Sequence, residues 1–248
     1  MTFPKNCFYG GHNVPLSAYG EAEARAAAEM LAGIRMDRVS PFSAKSLLRD
    51  TLASPRLPSS YLSKCGCADE KLDMVFASPL SRAVYGAERV AEKHALKVTL
   101  DDRFKEVQRG RWLGKTRDQI NDEFPGDLEN FAKDPTWKGH GGETYCELSA
   151  RVLTGLETML AAARESKATK IALVSHMWVT KSIVTDAMGI LPDEQDKWEE
   201  VSIPTASISV LDFPREQGSI PADLVSVGVK PPILEADALD PSGKPWGG

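Results

Sequence analysis

The sequence predicts an α/β fold, with helices packed around a mostly parallel sheet. Three observations predict it. Short apolar runs at 74–78 and 170–176 each lead directly into a helical pattern. Between them, residues 144–165 carry Leu148, Val152, Leu156 and Leu160 at a spacing of four, with charged residues on the other faces. A third apolar run, "ASISVLDF" at 206–213, continues the alternation of strand and helix.

In chain order, "SAYGEAEARAAAEMLAG" (17–33) is rich in alanine and glutamate and ends on glycine, which predicts a helix. Residues 36–73 are rich in Ser and Pro and read as a surface insertion, with one short helix around 44–52. "MVFAS" (74–78) is a strand and "SRAVYGAERVAEKHAL" (81–96) a helix directly after it. Ile171, Ala172, Leu173 and Val174 read as a short buried strand. Ser175 can cap the helix that follows, near 179–189, so His176 stands where a parallel strand ends and a helix begins. After the strand at 206–213, the Pro- and Gly-rich tail beyond about 214 reads as irregular. No internal repeat interrupts this order, and residues 1–248 are expected to form a single domain.

Bulk properties exclude several functions. The net charge of −5, with basic and acidic residues interspersed, argues against general nucleic-acid binding. No apolar run approaches the roughly 20 residues that cross a bilayer, and "MTFPKNCFYGG" has neither the basic nor the apolar part of a secretory signal. The scattered cysteines Cys7, Cys65, Cys67 and Cys146 suit a reducing compartment, so a cytoplasmic location is expected. Cys65 and Cys67 have no second ligand pair at zinc spacing and read as loop thiols. Neither a metal nor any other cofactor is expected.

The two strand ends carry the chemistry. "FASPLSRA" places Arg82 on the first turn of a helix, and "LVSHMWV" delivers His176. A guanidinium and an imidazole beside two helix N-termini make a place for a phosphoryl group, which the amides and the dipole favour. Between them, "RFKEVQRGRWLGKT" sets Glu106 and Arg109 in a glycine-punctuated loop, and "GHGGETYCELSARV" brings Glu143 to a helix start. A carboxylic acid near a bound phosphate has its protonated form favoured and can donate a proton to a leaving alcohol.

"VFASPLSRA", "LDDRFKEVQRGRWLGKT", "GGETYCELSARV", "IALVSHMWV" and "IPTASISVLDF" together resemble the histidine phosphatase superfamily, in its phosphoglycerate mutase-like branch, in order and spacing. The resemblance covers about residues 11–213 and implies a three-layer α/β/α sandwich that transfers a phosphoryl group through a phosphohistidine. By motif it implies that Arg82 binds phosphate, that His176 is the second, non-nucleophilic histidine, and that Glu106 is the proton donor. The expected ligand is a phosphorylated small molecule or other phosphomonoester. Hydrolysis is expected to need no metal, because arginines and histidines supply the positive charge.

One part of the pattern departs. The family's nucleophile sits in an Arg-His-Gly at the end of the first strand, and "CFYGGHNVPLS" contains no such triplet. His12 precedes Pro15 by only three residues, where the family leaves well over ten, and a second alignment puts the nucleophile's position near Cys7. The first strand is therefore expected to be missing or replaced, which would leave its neighbours with unpaired backbone groups at about 1–3 kcal/mol each if buried. Three readings follow: a chain lacking an upstream first strand, a pseudo-enzyme that binds phosphorylated ligands or a partner, and an enzyme in which His12 substitutes for the lost nucleophile. Met177 and Trp178 stand where the family has small residues, each either narrowing the pocket or pointing into the core.

Overall fold

Alternation along two short strands sets the layers. In the computed structural model, which describes residues 7–33, 71–214 and 222–233, β1 (Met74–Ala77) lies in the middle of a parallel sheet. Its neighbours are β2 (Val98–Leu100) and β3 (Ile171–Val174). Val75, Ala77, Ala172 and Val174 face α1 (Ala18–Leu31) and α2 (Ser81–His94). Phe76, Ile171 and Leu173 face the other way, onto α5 (Tyr145–Ser166) and α6 (Met177–Ala187). Side chains that alternate across a pleat thus bury both faces, and the three-layer α/β/α arrangement follows.

Each covering helix is explained locally. The alanines that make α1 a good helix also let it sit close to α2, with Ala22, Ala26, Ala83, Ala87 and Ala91 all buried. Thr144 starts α5 with a full capping box, accepting from the Glu147 amide while Glu147 accepts from the Thr144 amide. Leu148, Val152, Leu156 and Leu160 are buried along it, as their spacing predicts. Two short helices, α3 (Arg117–Glu123) and α4 (Asp127–Lys133), lie between β2 and α5, and α7 (Gln195–Glu200) follows α6.

Three expectations are corrected. The 171–174 strand is not buried: all four residues are partly exposed, and among the described residues β3 pairs with β1 alone and forms an edge. Water at that edge can satisfy backbone groups that an interior strand would have stranded. The tail beyond 214 is not wholly irregular, since β5 (Asp223–Val229) pairs antiparallel with β4 (Ile208–Asp212). Ser175 does not cap α6; the N-cap position belongs to His176, and the Ser175 hydroxyl donates to the Phe104 carbonyl at 2.7 Å.

Among the described residues no other strand joins the parallel sheet. Residues 7–14 form no strand; Phe8 instead exchanges backbone hydrogen bonds with Gly114 and Lys115, each at 2.9 Å. Most of the 36–73 insertion, including the short helix expected at 44–52 and the Cys65–Cys67 pair, lies outside the described residues.

Candidate active site

β1 and β3 run in parallel register, so their C-terminal ends arrive together. The Ser78 amide donates to the Val174 carbonyl at 3.0 Å, which fixes both ends. One step further, His176 Nε2 and Ser78 Oγ are hydrogen-bonded at 2.7 Å. His176 is 8% exposed, and its pKa is pushed down to about 3, first by burial and then by the charges of Arg82 and Arg151. The imidazole is therefore neutral at physiological pH in the free site. An arriving anion would draw the proton onto it.

Glu106 lies between two 3-10 turns, Asp102–Phe104 and Gly110–Trp112, and is buried. Its Oε1 accepts from the Val107 amide at 2.9 Å. Burial raises its pKa, against the opposing pull of the Val107 amide, Arg109, the Trp178 amide and Arg82. A buried carboxyl with a raised pKa, beside a guanidinium, suits a proton donor. Arg82 is itself depressed by burial and sustained by the charge of Glu106. Arg82 thus acts on both His176 and Glu106.

An ion pair, Arg151 with Glu143, holds the Glu106 loop. Arg151 donates to the carbonyls of Arg103 at 2.7 Å and Lys105 at 2.8 Å, and forks onto Glu143 at 2.7 Å through both Nε and Nη2. Glu143 in turn accepts from the Gln108 amide at 2.9 Å. Glu143, which the sequence offered as a second acid, is thereby committed to shaping the loop. Arg151 and Ser78 escaped sequence reasoning: a mid-helix arginine and a serine before proline carry no local signal of what they meet in space.

The N-terminal segment reaches the same place through its backbone. Arg82 donates to the carbonyls of His12 at 2.8 Å and Gly10 at 3.2 Å, and Asn13 Oδ1 accepts from the Ser81 amide at 2.7 Å. The His12 ring is exposed. Of the other histidines in the chain, His94 accepts from the Leu72 amide and His140 is stacked at 4.4 Å on Trp112. The His176 ring, bonded to Ser78, feels the charge of Arg82. Beside Glu106 opens a cavity of about 620 Å³, walled by Cys7, Phe8, Arg109, Met177 and Trp178 among others. Trp178 does both things expected of it, stacking on Tyr145 at 4.6 Å and lining this cavity. Among the described residues no cluster of three or more His, Cys, Asp or Glu could hold a metal ion.

With this geometry in place, comparison with known proteins is decisive for the family. The family model of the histidine phosphatase superfamily (branch 1) matches residues 66–222. The chain belongs to the histidine phosphatase superfamily. A glucosyl-3-phosphoglycerate phosphatase of Mycobacterium tuberculosis is 36% identical over 78 residues, which are 32% of this chain and 35% of that protein. Phosphoserine phosphatase 1 of Hydrogenobacter thermophilus is 26% identical over 143 residues, 57% of this chain and 65% of that protein. The chain therefore spans between about a third and two thirds of these relatives' lengths. In structure, a mycobacterial glucosyl-3-phosphoglycerate phosphatase in complex with inorganic phosphate superposes with a TM-score of 0.59. That match has 22% identity and covers 85% of this chain and 86% of the other. The fold class expected from the sequence is the one observed.

Proposed function

We propose that this histidine phosphatase-like chain binds the phosphoryl group of a small-molecule phosphomonoester between Arg82 and His176, with Glu106 placed as the acid for the leaving oxygen. What supports the reading is that Arg82, shortly after β1, acts on His176 at the end of the paired strand β3 and exchanges influence with Glu106. An incoming phosphate exchanges with the carbonyls of Gly10 and His12 on Arg82, and its charge favours protonation of His176. The arrangement then holds an anion with two cationic donors and a neutral acid, which fits a dianionic ester. The relatives' names, glucosyl-3-phosphoglycerate phosphatase and phosphoserine phosphatase, support a phosphorylated metabolite over a macromolecule.

A second reading, ligand binding without efficient turnover, is favoured by a specific observation. Of the four histidines, His176 has a ring under the charge of Arg82, whereas His94 bonds the Leu72 amide, His140 stacks on Trp112 and His12 offers Arg82 its carbonyl. A phosphohistidine route needs an attacking nitrogen roughly 3–3.5 Å from phosphorus. The free thiols Cys7 and Cys146 fit the reducing cytoplasm that we assign to the chain, and no described helix is long and apolar enough to cross a membrane.

Hydrolysis of p-nitrophenyl phosphate, followed in wild type and His12→Ala, separates the readings. Binding without efficient turnover predicts weak or no hydrolysis in both. Robust turnover lost in His12→Ala makes His12 the nucleophile. Robust turnover that survives the substitution would refute the assignment of a missing nucleophile.

A further inference from the structure

We infer that Ser78 is a positioning residue for His176: its hydroxyl donates to Nε2, so that the proton of the neutral ring sits on Nδ1 and meets the phosphoryl group. The inference rests on the reading of the site above and adds to it how an uncharged histidine takes part. Ser78 is fully buried, and its Oγ lies 2.7 Å from His176 Nε2. A neutral imidazole has one N–H and one bare nitrogen, and the hydrogen bond made by either nitrogen decides which is which.

The surroundings of Ser78 give this bond its direction. Ser78 Oγ already accepts from the Leu80 amide at 3.3 Å. Among the described residues no acceptor other than His176 is bonded to the hydroxyl, and with the residue at 0% exposure bulk water does not reach it. If Nε2 carried the proton, Oγ would accept twice and its own O–H would be a buried donor without a partner, an arrangement that folded proteins avoid. If Nε2 is bare, the hydroxyl donates to it and both groups are satisfied. Ser78 is itself held in place, because its amide donates to the Val174 carbonyl at 3.0 Å.

The other ring nitrogen fits the same assignment. His176 occupies the N-cap position of α6, where a side-chain acceptor ordinarily takes an amide of the first turn, yet its side chain caps nothing. A nitrogen that already carries a proton cannot accept one. Among the described residues Nδ1 has no hydrogen-bond partner, and unlike both ring nitrogens of His140 it is not sealed from solvent. It is therefore the nitrogen open to a ligand. An anion that reaches Arg82 finds a neutral N–H donor in place before the ring takes up any proton. A proton then drawn onto the ring goes to Nε2, and the hydroxyl accepts where it had donated, so Ser78 keeps its bond to His176 in both states. A hydroxyl can reverse in this way, whereas a carboxylate or a backbone amide cannot.

The test is NMR at pH 7 on protein labelled with nitrogen-15 in histidine, with His176→Gln assigning the His176 signals. Long-range proton–nitrogen correlations distinguish a ring protonated on Nδ1 from one protonated on Nε2. Wild type should show the Nδ1–H form, and inorganic phosphate should shift the Nδ1 resonance. Ser78→Ala should lose that single form and bind phosphate about tenfold more weakly, the value of one charge-assisted hydrogen bond. Ser78→Thr keeps the hydroxyl and should restore both. A merely structural serine would leave the tautomer unmoved. If the variants fail to fold, the wild-type tautomer alone still decides. Wild type that binds phosphate with its ring proton on Nε2, or Ser78→Ala that keeps the Nδ1–H form, overturns the inference and leaves the phosphate site standing. Failure of wild type to bind inorganic phosphate overturns both.

Discussion

Acid should destabilise this protein through His176, by an amount the site determines. The imidazole has a pKa of about 3 in the folded chain and an ordinary value of 6.5 when unfolded. Between those values the unfolded chain binds a proton that the folded chain refuses. Stability therefore rises with pH across this window and falls as pH drops below 6.5. At pH 5 the unfolded state gains about 1.5 pH units of protonation free energy, or roughly 2 kcal/mol, most of it absent at pH 7. Any folded pKa below about 4 gives the same figure. His94 and His140, also lowered by burial, add losses of the same sign, and Glu106, raised by burial, contributes in the opposite direction. Urea unfolding of wild type and His176→Gln at pH 7 and pH 5 removes these shared contributions by subtraction. Wild type should lose about 2 kcal/mol more than the variant between the two pH values. Equal losses would show that His176 is not held neutral by its surroundings, and the description of the free site would fall with it.

Other consequences are equally specific. Gly110 has a φ of 51°, and a Cβ there would lie 2.1 Å from the His140 carbonyl, so Gly110→Ala should lower stability by about 3 kcal/mol, read from the urea midpoint. Thr144→Ala removes the side-chain half of the α5 capping box and should cost about 1 kcal/mol in the same assay. Arg151→Met frees Glu143 and releases the carbonyls of Arg103 and Lys105, so phosphate affinity should drop although Arg151 is not among the proposed phosphate ligands. An unchanged affinity in a folded Arg151→Met would show that the ion pair does not position Glu106.

What could be read from the chain was whatever depends on near neighbours. The four-residue spacing in α5, the helix-forming alanines of α1 and the step from β1 into α2 are local patterns, and the structure realises each within a few residues. β5 was missed because "DLVSVGV" sits among prolines and glycines, and its strand character is supplied by pairing with β4. The apolar character of β3 suggested burial; among the described residues it pairs with β1 alone and lies at an edge, a property of topology that a local apolar run does not carry. Arg82, Glu106 and His176 were legible as separate loop-to-helix motifs. Their partners were not, because the Ser78 hydroxyl and the carbonyls of Gly10 and His12 are contributed by folding across 70 residues or more. The burial of Arg109, 5% exposed between Phe8 and Trp178, gave even less warning, since an arginine in a glycine-rich loop is ordinarily solvated.

The most direct measurement is titration of inorganic phosphate into wild type and Arg82→Ala, with stability followed in parallel. The account predicts saturable binding by wild type, stabilisation of about 1.4 kcal/mol at a tenfold excess over Kd, and loss of both in the variant. Phosphate that leaves wild type unaffected, or that binds wild type and Arg82→Ala alike, would contradict it.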